Sequence, residues 1–211
     1  MSFFRNKSRS VEQTERPAQI GSQLDLNQEP AITAELPMDV APVAAARDGD
    51  RMAFGILYER YVRMVHGILL SRVPLVEVDD LVHEVFLVAL RQLHTLRSDA
   101  AFGAWLARIT RNRAHDYFRR SPARKEVALP EVLPGPGAES SSAEAEAHVA
   151  LNAIRALPAA YRETLVLRLV EGMTGPEIAA RTGLTPASVR VNLHRGMKLL
   201  RKKLSGKTDY E

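Results

Sequence analysis

The stretch MTGPEIAARTGLTPASVRVNLHRGMKLLRKKL, residues 173–204, leaves this chain few folds to choose from. It carries two helix-start signals in succession. Thr174, with Glu177 three residues on, forms a capping box, and Met173 and Ile178 bracket it as an apolar staple. The device recurs at Thr185, with Pro186 at the first helical position and Leu184 and Val189 as the staple. Between them Thr182-Gly183 supplies a tight turn, because glycine takes positive φ without steric penalty. Two short helices joined by a glycine-containing turn make a helix-turn-helix, whose second helix fits the major groove of DNA.

Spacing the second helix at about 100° per residue divides it into two sides. Val189, Leu193, Gly196, Leu200 and Leu204 share one and are expected to face a core. Ser188, Val191, His194, Arg195, Lys198 and Lys202 share the other, with Arg190 and Arg201 flanking it. No carboxylate occurs from Leu184 to Ser205. A solvated helix ordinarily mixes signs, so a single-sign face points to a polyanion. This helix is expected to bind DNA.

The rest of the composition bounds the chain more loosely. Its 211 residues suit one medium domain or two small ones, and 45% hydrophobic against 26% charged residues is a globular balance. A net charge of +4 identifies no partner by itself; the distribution along the chain carries the information. The chain has no cysteine, which excludes disulfides and thiolate metal sites and suits a reducing interior. MSFFRNKSRS does not read as a secretory signal, and no uninterrupted apolar run is long enough to span a bilayer. A soluble, cytoplasmic protein with no membrane insertion is expected.

Pattern and punctuation predict an all-α chain of two small helical domains joined by a flexible linker, the C-terminal one a helix-turn-helix. Residues 1–40 are polar, hold Pro17, Pro30 and Pro37, and read as a disordered extension. Residues 41–120 form a first helical block. In it Phe54, Leu57, Tyr58, Tyr61, Val65, Ile68 and Leu69 recur at helical intervals, Pro74 breaks the chain, and further helices span about 79–93 and 101–120. Residues 121–142, with four prolines and a serine run, form the linker. Residues 143–205 are the second block: a helix ending before Pro158, one over about 159–171 stopped by Gly172, and the helix-turn-helix. Residues 206–211 are a tail.

Two faces of the first block stand out. In DDLVHEVFLVALRQL, Leu81, Val82, Val85, Phe86, Ala89 and Leu93 make a core side, while Asp80, Glu84, Leu87, Val88 and Arg91 cluster opposite. An apolar pair ringed by acids and an arginine has the composition of a protein interface, and equally that of a solvated face with two stray aliphatics. In FGAWLARITRNRAHDYFRR, Phe102, Trp105, Leu106, Ile109 and Tyr117 line the core side. Arg108, Arg111, Asn112, His115 and Arg119 line the far side, where guanidiniums suit a nucleic-acid backbone and Asn112 can read a base edge. Trp105, the one tryptophan, is placed either to stack on an unpaired base or to fill the core.

With these segments in order the chain resembles a bacterial RNA polymerase sigma factor of the extracytoplasmic-function, sigma-70-like family. The likeness runs through DRMAFGILYERYVRMVHGIL, DDLVHEVFLVAL, AFGAWLARITRNRAHDYFRR and LPAAYRETLVLRLVEGMTGPEIAARTGLTPASVRVNLHRGMKLLRKKL, from about Val43 to Leu204 without the linker. The resemblance implies that residues 41–120 bind core polymerase and recognise and melt the minus-ten element, and that 143–205 recognise the minus-thirty-five element. Asp79, Asp80, Glu84, Leu87 and Arg91 would then dock on the clamp helices of the polymerase largest subunit. The loop from Leu96 to Ala101, with Arg97 and Ser98, would capture a flipped base beside Trp105. Arg108, Arg111, Asn112, His115 and Arg119 would hold the minus-ten strand and the adjoining duplex. Thr185, Ser188, Arg190, Val191, His194, Arg195 and Lys198 would read the minus-thirty-five element. The family also implies an anti-sigma factor as a partner, and no cofactor. His83 in place of a glutamine, Val191 and Asn192 in place of small polar and basic residues, and Met197 in place of an arginine depart from its pattern.

Enzymatic readings find no support. His83-Glu84 begins like a zinc-protease motif, but Leu87 holds the place of the second histidine. His115-Asp116 lacks the further ligands of a metal-dependent phosphohydrolase, and the GPG at Gly135 to Gly137 lies in the linker. No metal site and no catalysis are expected. A freestanding helix-turn-helix regulator is the alternative, and it leaves the first domain without a purpose.

Overall fold

The computed structural model describes residues 40–120 and 142–205. The expected N-terminal extension, the linker up to 141 and the tail lie outside these. Among the described residues the regular structure is helical. Four helices precede the linker: α1 (Val40–Arg47), α2 (Arg51–Leu70), α3 (Val78–Gln92) and α4 (Phe102–Arg120). Four follow it: α5 (Ser142–Arg155), α6 (Ala159–Leu169), α7 (Gly175–Thr182) and α8 (Pro186–Ser205).

Local chemistry sets most boundaries. Asp50 caps α2 by accepting from the backbone N–H groups of Met52 and Ala53 at 2.8 and 3.2 Å. Pro74, just beyond the end of α2, leads into a short 3₁₀ turn at Leu75–Glu77 before α3. Gly172 takes φ +67°, which lets the Met173 N–H return to the Leu167 carbonyl at 2.9 Å after α6.

The core of the first half is aromatic and aliphatic. Phe86 of α3 packs on Tyr58 of α2 at a ring separation of 4.5 Å, and Phe102 of α4 sits 5.1 Å from Tyr61. Leu57, Val65, Ile68, Val85, Phe102 and Leu106 are essentially inaccessible to water. In the second half, α6 packs on α8 and α7, burying Leu165, Leu167, Ile178 and Val189. Leu204, expected on the core side of α8, is instead 43% exposed. The helix outlasts the body beneath it, and Leu200 is its last buried residue.

The two halves also pack on each other: α6 and α7 lie against α2, and α7 against α4. A sequence reading with a linker between two independent domains contains no such seam.

Candidate nucleic-acid interface

Both start signals of the helix-turn-helix form as their chemistry requires. The Thr174 N–H donates to the Glu177 carboxylate at 2.8 Å, and the Glu177 N–H donates back to Thr174 Oγ1 at 3.3 Å. That backbone hydrogen bond from Thr174, outweighing burial, holds the Glu177 carboxyl below its ordinary range. Met173 and Ile178, the staple, are buried. Gly183 has φ +76°, and a Cβ there would stand 2.7 Å from the Ala104 Cβ, so both backbone conformation and close approach demand glycine. Thr185 Oγ1 accepts from the Ser188 N–H at 3.1 Å and caps α8.

Thr185 at the cap of α8, and Ser188, Arg190, Val191, His194, Arg195 and Lys198 along it, are all exposed. Thr185 and Ser188 also share a hydroxyl hydrogen bond of 2.8 Å. Among the described residues no carboxylate pairs with Arg190, Arg195 or Lys198. The charges of this face are therefore all cationic, with Val191 as an apolar spot 43% exposed.

The second basic rod, α4, is only partly free. Arg108, Asn112, His115 and Arg119 are exposed, with Arg119 paired to Asp116 at 3.1 Å. Arg97 and Ser98 are exposed in the preceding loop, where Arg47 of α1 pairs with Asp99. Two residues of the expected minus-ten set stand differently. Trp105 is 8% exposed, 5.8 Å from the Phe102 ring, and belongs to the core: the i, i+3, i+4 stripe of Phe102, Trp105, Leu106 and Ile109 turns it inward, so it offers no platform to a base in this arrangement. Arg111 is not open either. Its guanidinium donates to Glu163 of α6 at 2.7 Å, because the second half docks on that flank of α4.

Glu163 was not singled out by its sequence. It is 5% exposed and also receives Arg72 of α2 at 2.6 Å. Burial alone would raise its pKa; Arg111 and Arg72 overcome this and hold the carboxyl below its usual range. Burial, with Arg72 and Arg155 nearby, lowers the pKa of the neighbouring Arg162. The one sign of Glu163 in the sequence is a carboxylate four residues before Leu167, on a helix with little polar face.

On α3, Asp79, Asp80, Glu84, Leu87 and Arg91 are exposed together, and Leu87 is half out of the protein. Asp79 and Asp80 lie in the first turn, where the helix dipole favours negative charge. Glu84 makes only a loose 3.7 Å contact with Arg113. Leu90, which the angular reading did not select, is 48% exposed as well. Among the described residues no His, Asp or Glu cluster could hold a metal, and no helix is long and apolar enough to cross a membrane.

The described residues thus form a helical fold with a helix-turn-helix, two basic helices and an exposed face on α3 where acids surround Leu87. The Sigma-70 region 2 family matches residues 57–124, and the Sigma-70, region 4 family matches residues 148–200. The ECF RNA polymerase sigma-E factor of Escherichia coli is 30% identical over 186 residues, which span 79% of this chain and 94% of that protein. The ECF RNA polymerase sigma factor BldN of Streptomyces coelicolor is 32% identical over 178 residues, 81% of this chain and 67% of that one. The solved structure of CnrH in complex with the cytosolic domain of CnrY superposes with a TM-score of 0.55 at 28% identity, covering 81% of this chain and 99% of that chain. This chain belongs to the extracytoplasmic-function family of RNA polymerase sigma factors, which are non-enzymatic initiation factors. Matches on both sides of the linker make it a sigma factor rather than a freestanding regulator.

Proposed function

We propose that this sigma factor docks on core polymerase through α3, reads the minus-thirty-five element with α8, and holds the opened minus-ten strand with α4 and the loop before it. What carries the reading is the face of α8, whose charges are all cationic and meet no carboxylate among the described residues, on a capped helix-turn-helix. Asp79, Asp80, Glu84, Leu87 and Arg91 meet the clamp helices of the largest subunit. Thr185, Ser188, Arg190, Val191, His194, Arg195 and Lys198 face the major groove, where Val191 suits a thymine methyl. Arg97, Ser98, Arg108, Asn112, His115 and Arg119 grip the minus-ten region, joined by Arg111 once it leaves Glu163. Unstacking a base step costs a few kcal/mol, more than a small domain offsets alone, so the protein works in the cytoplasm on polymerase and by binding. An anti-sigma factor that covers these surfaces is the matching negative partner.

Reconstituted transcription with core enzyme on a library of genomic fragments tests this. Initiation from a discrete set of sites, strictly dependent on core polymerase, is expected. A chain that shifts duplex DNA unaided but starts no transcript would be a regulator of another kind.

A further inference from the structure

The loop that leads into α4 is held by a helix that has no other part in the proposed function. α1 ends at Arg47, just ahead of α2. Val43 and Ala46 seat it in the core, and the Asp50 N–H returns to the Ala45 carbonyl at 3.0 Å through a tight turn. Asp50 then caps α2, so the end of α1 and the start of α2 are fastened to one another.

From this seat Arg47 reaches the loop. Its Nη2, which carries two hydrogens, donates to the Leu96 carbonyl at 3.2 Å and to the Asp99 carboxylate. Leu96 is buried, and its backbone and that of Ser98 are extended, at φ −69°, ψ 120° and φ −141°, ψ 124°. Two further ties are local, from the Leu96 N–H to the Leu93 carbonyl and from the Ala101 N–H to the Ser98 carbonyl. Between the two oxygens that Arg47 holds stand Arg97 and Ser98, both exposed. One guanidinium thus clasps both ends of a two-residue tip.

We infer that Arg47 is a positioning residue for minus-ten recognition: it touches no DNA, and it fixes the shape in which Arg97 and Ser98 meet an unpaired base. The inference rests on the reading of this loop as the part that captures that base. Two observations set the clasp apart from an ordinary surface ion pair. A solvent-accessible pair of one cation and one carboxylate adds little to stability, but here a backbone carbonyl shares the cation, which fixes the path of the chain itself. Trp105 is buried and offers the base no platform, which leaves its placement to the loop. A loop already in its binding shape need not be ordered when DNA arrives, and affinity gains accordingly. Arg47 lies ahead of residue 57, where the match to Sigma-70 region 2 begins.

The test uses core polymerase carrying the full chain, with two DNA probes cut from a promoter that the native chain selects. One probe is duplex across the minus-thirty-five element. The other continues as a fork whose minus-ten non-template strand is single. Replacing each minus-ten base in turn by an abasic site should weaken binding of the native chain at the captured position. A loop that holds its binding shape about one time in ten binds about tenfold more weakly, so Arg47→Ala should lose about tenfold on the intact fork. On the fork already abasic at the captured position it should lose nothing further, because the two changes remove one interaction. The duplex probe and the pull-down of core polymerase should stay native. Asp99→Ala removes the other half of the clasp and should repeat the pattern; it carries the test if circular dichroism shows Arg47→Ala unfolded. Native affinity of both variants for the intact fork overturns the inference. An equal loss on intact and abasic forks overturns it too, since that marks a residue that only supports the fold. Failure of the underlying reading would show separately and before any variant is made, as a native chain that no abasic site weakens.

Discussion

At the scale of single residues, Glu163 of α6 carries two ion pairs to the first half, with Arg72 and Arg111. A buried carboxylate between two guanidiniums adds little net stability, yet removing one partner strands the others, which makes Glu163 a sensitive point. Arg111 and Trp105 show how far a helical wheel reaches. Periodicity placed Trp105 on the core stripe, and there it lies; its alternative role on a base was a matter of residue chemistry, which says nothing of burial. Periodicity also placed Arg111 on the open side, because a wheel has no knowledge of a second domain. Arg195 is simpler: it is exposed and central on α8, and among the described residues no carboxylate pairs with it. A bidentate contact of arginine with a guanine edge contributes about 1–3 kcal/mol of discrimination. Arg195→Ala should thus lower initiation at cognate promoters about tenfold or more while core binding holds, as run-off transcription beside a polymerase pull-down would show. An unchanged promoter profile removes Arg195 from the readers.

Helices are the scale at which the sequence was most legible. Capping boxes, staples and glycine stops act within a few residues, so α2, α7 and α8 begin where local chemistry places them. Even there, tertiary context decides which positions of an amphipathic helix meet a core: Leu204 follows the stripe and has nothing beneath it. The α3 face makes the element-level prediction. Asp80 and Glu84 are exposed, with only the loose Arg113 contact between them and solvent. Asp80→Lys combined with Glu84→Lys should abolish association with core polymerase while helix content and melting stay close to native, since surface changes of this kind shift stability by about 0.5 kcal/mol each. Normal co-purification of that variant with polymerase would refute the docking assignment.

At the scale of the whole molecule, the contact of His66 with Glu171 joins the two halves and should make their packing respond to pH. The Glu171 hydrogen bond raises the His66 pKa above its ordinary value of 6.5 against an opposing effect of burial, with Asp79 adding to the rise and Arg63 approaching Glu171 at 4.0 Å. When the halves part, Glu171 leaves and the imidazole returns toward that ordinary value. A group whose pKa is raised in the closed state favours closure fully below pH 6.5 and loses that contribution as pH rises through the raised value. Distances between spin labels placed at Met52→Cys and Val149→Cys, both exposed, should therefore lengthen as pH rises above 6.5, and His66→Gln should flatten the dependence. A native chain as pH-insensitive as His66→Gln would show that this contact does not hold the halves together.

The amino-acid sequence by itself determined the helices, their caps, the helix-turn-helix and the single-sign face of α8, because each follows from residues within a few turns of one another. It also carried the family, through motifs in a fixed order. Only the tertiary structure decided that Arg111 faces a carboxylate and that Gly67, Gly103 and Gly183 line a seam. Those facts arise from residues some fifty to more than a hundred positions apart, and no local period encodes such a meeting.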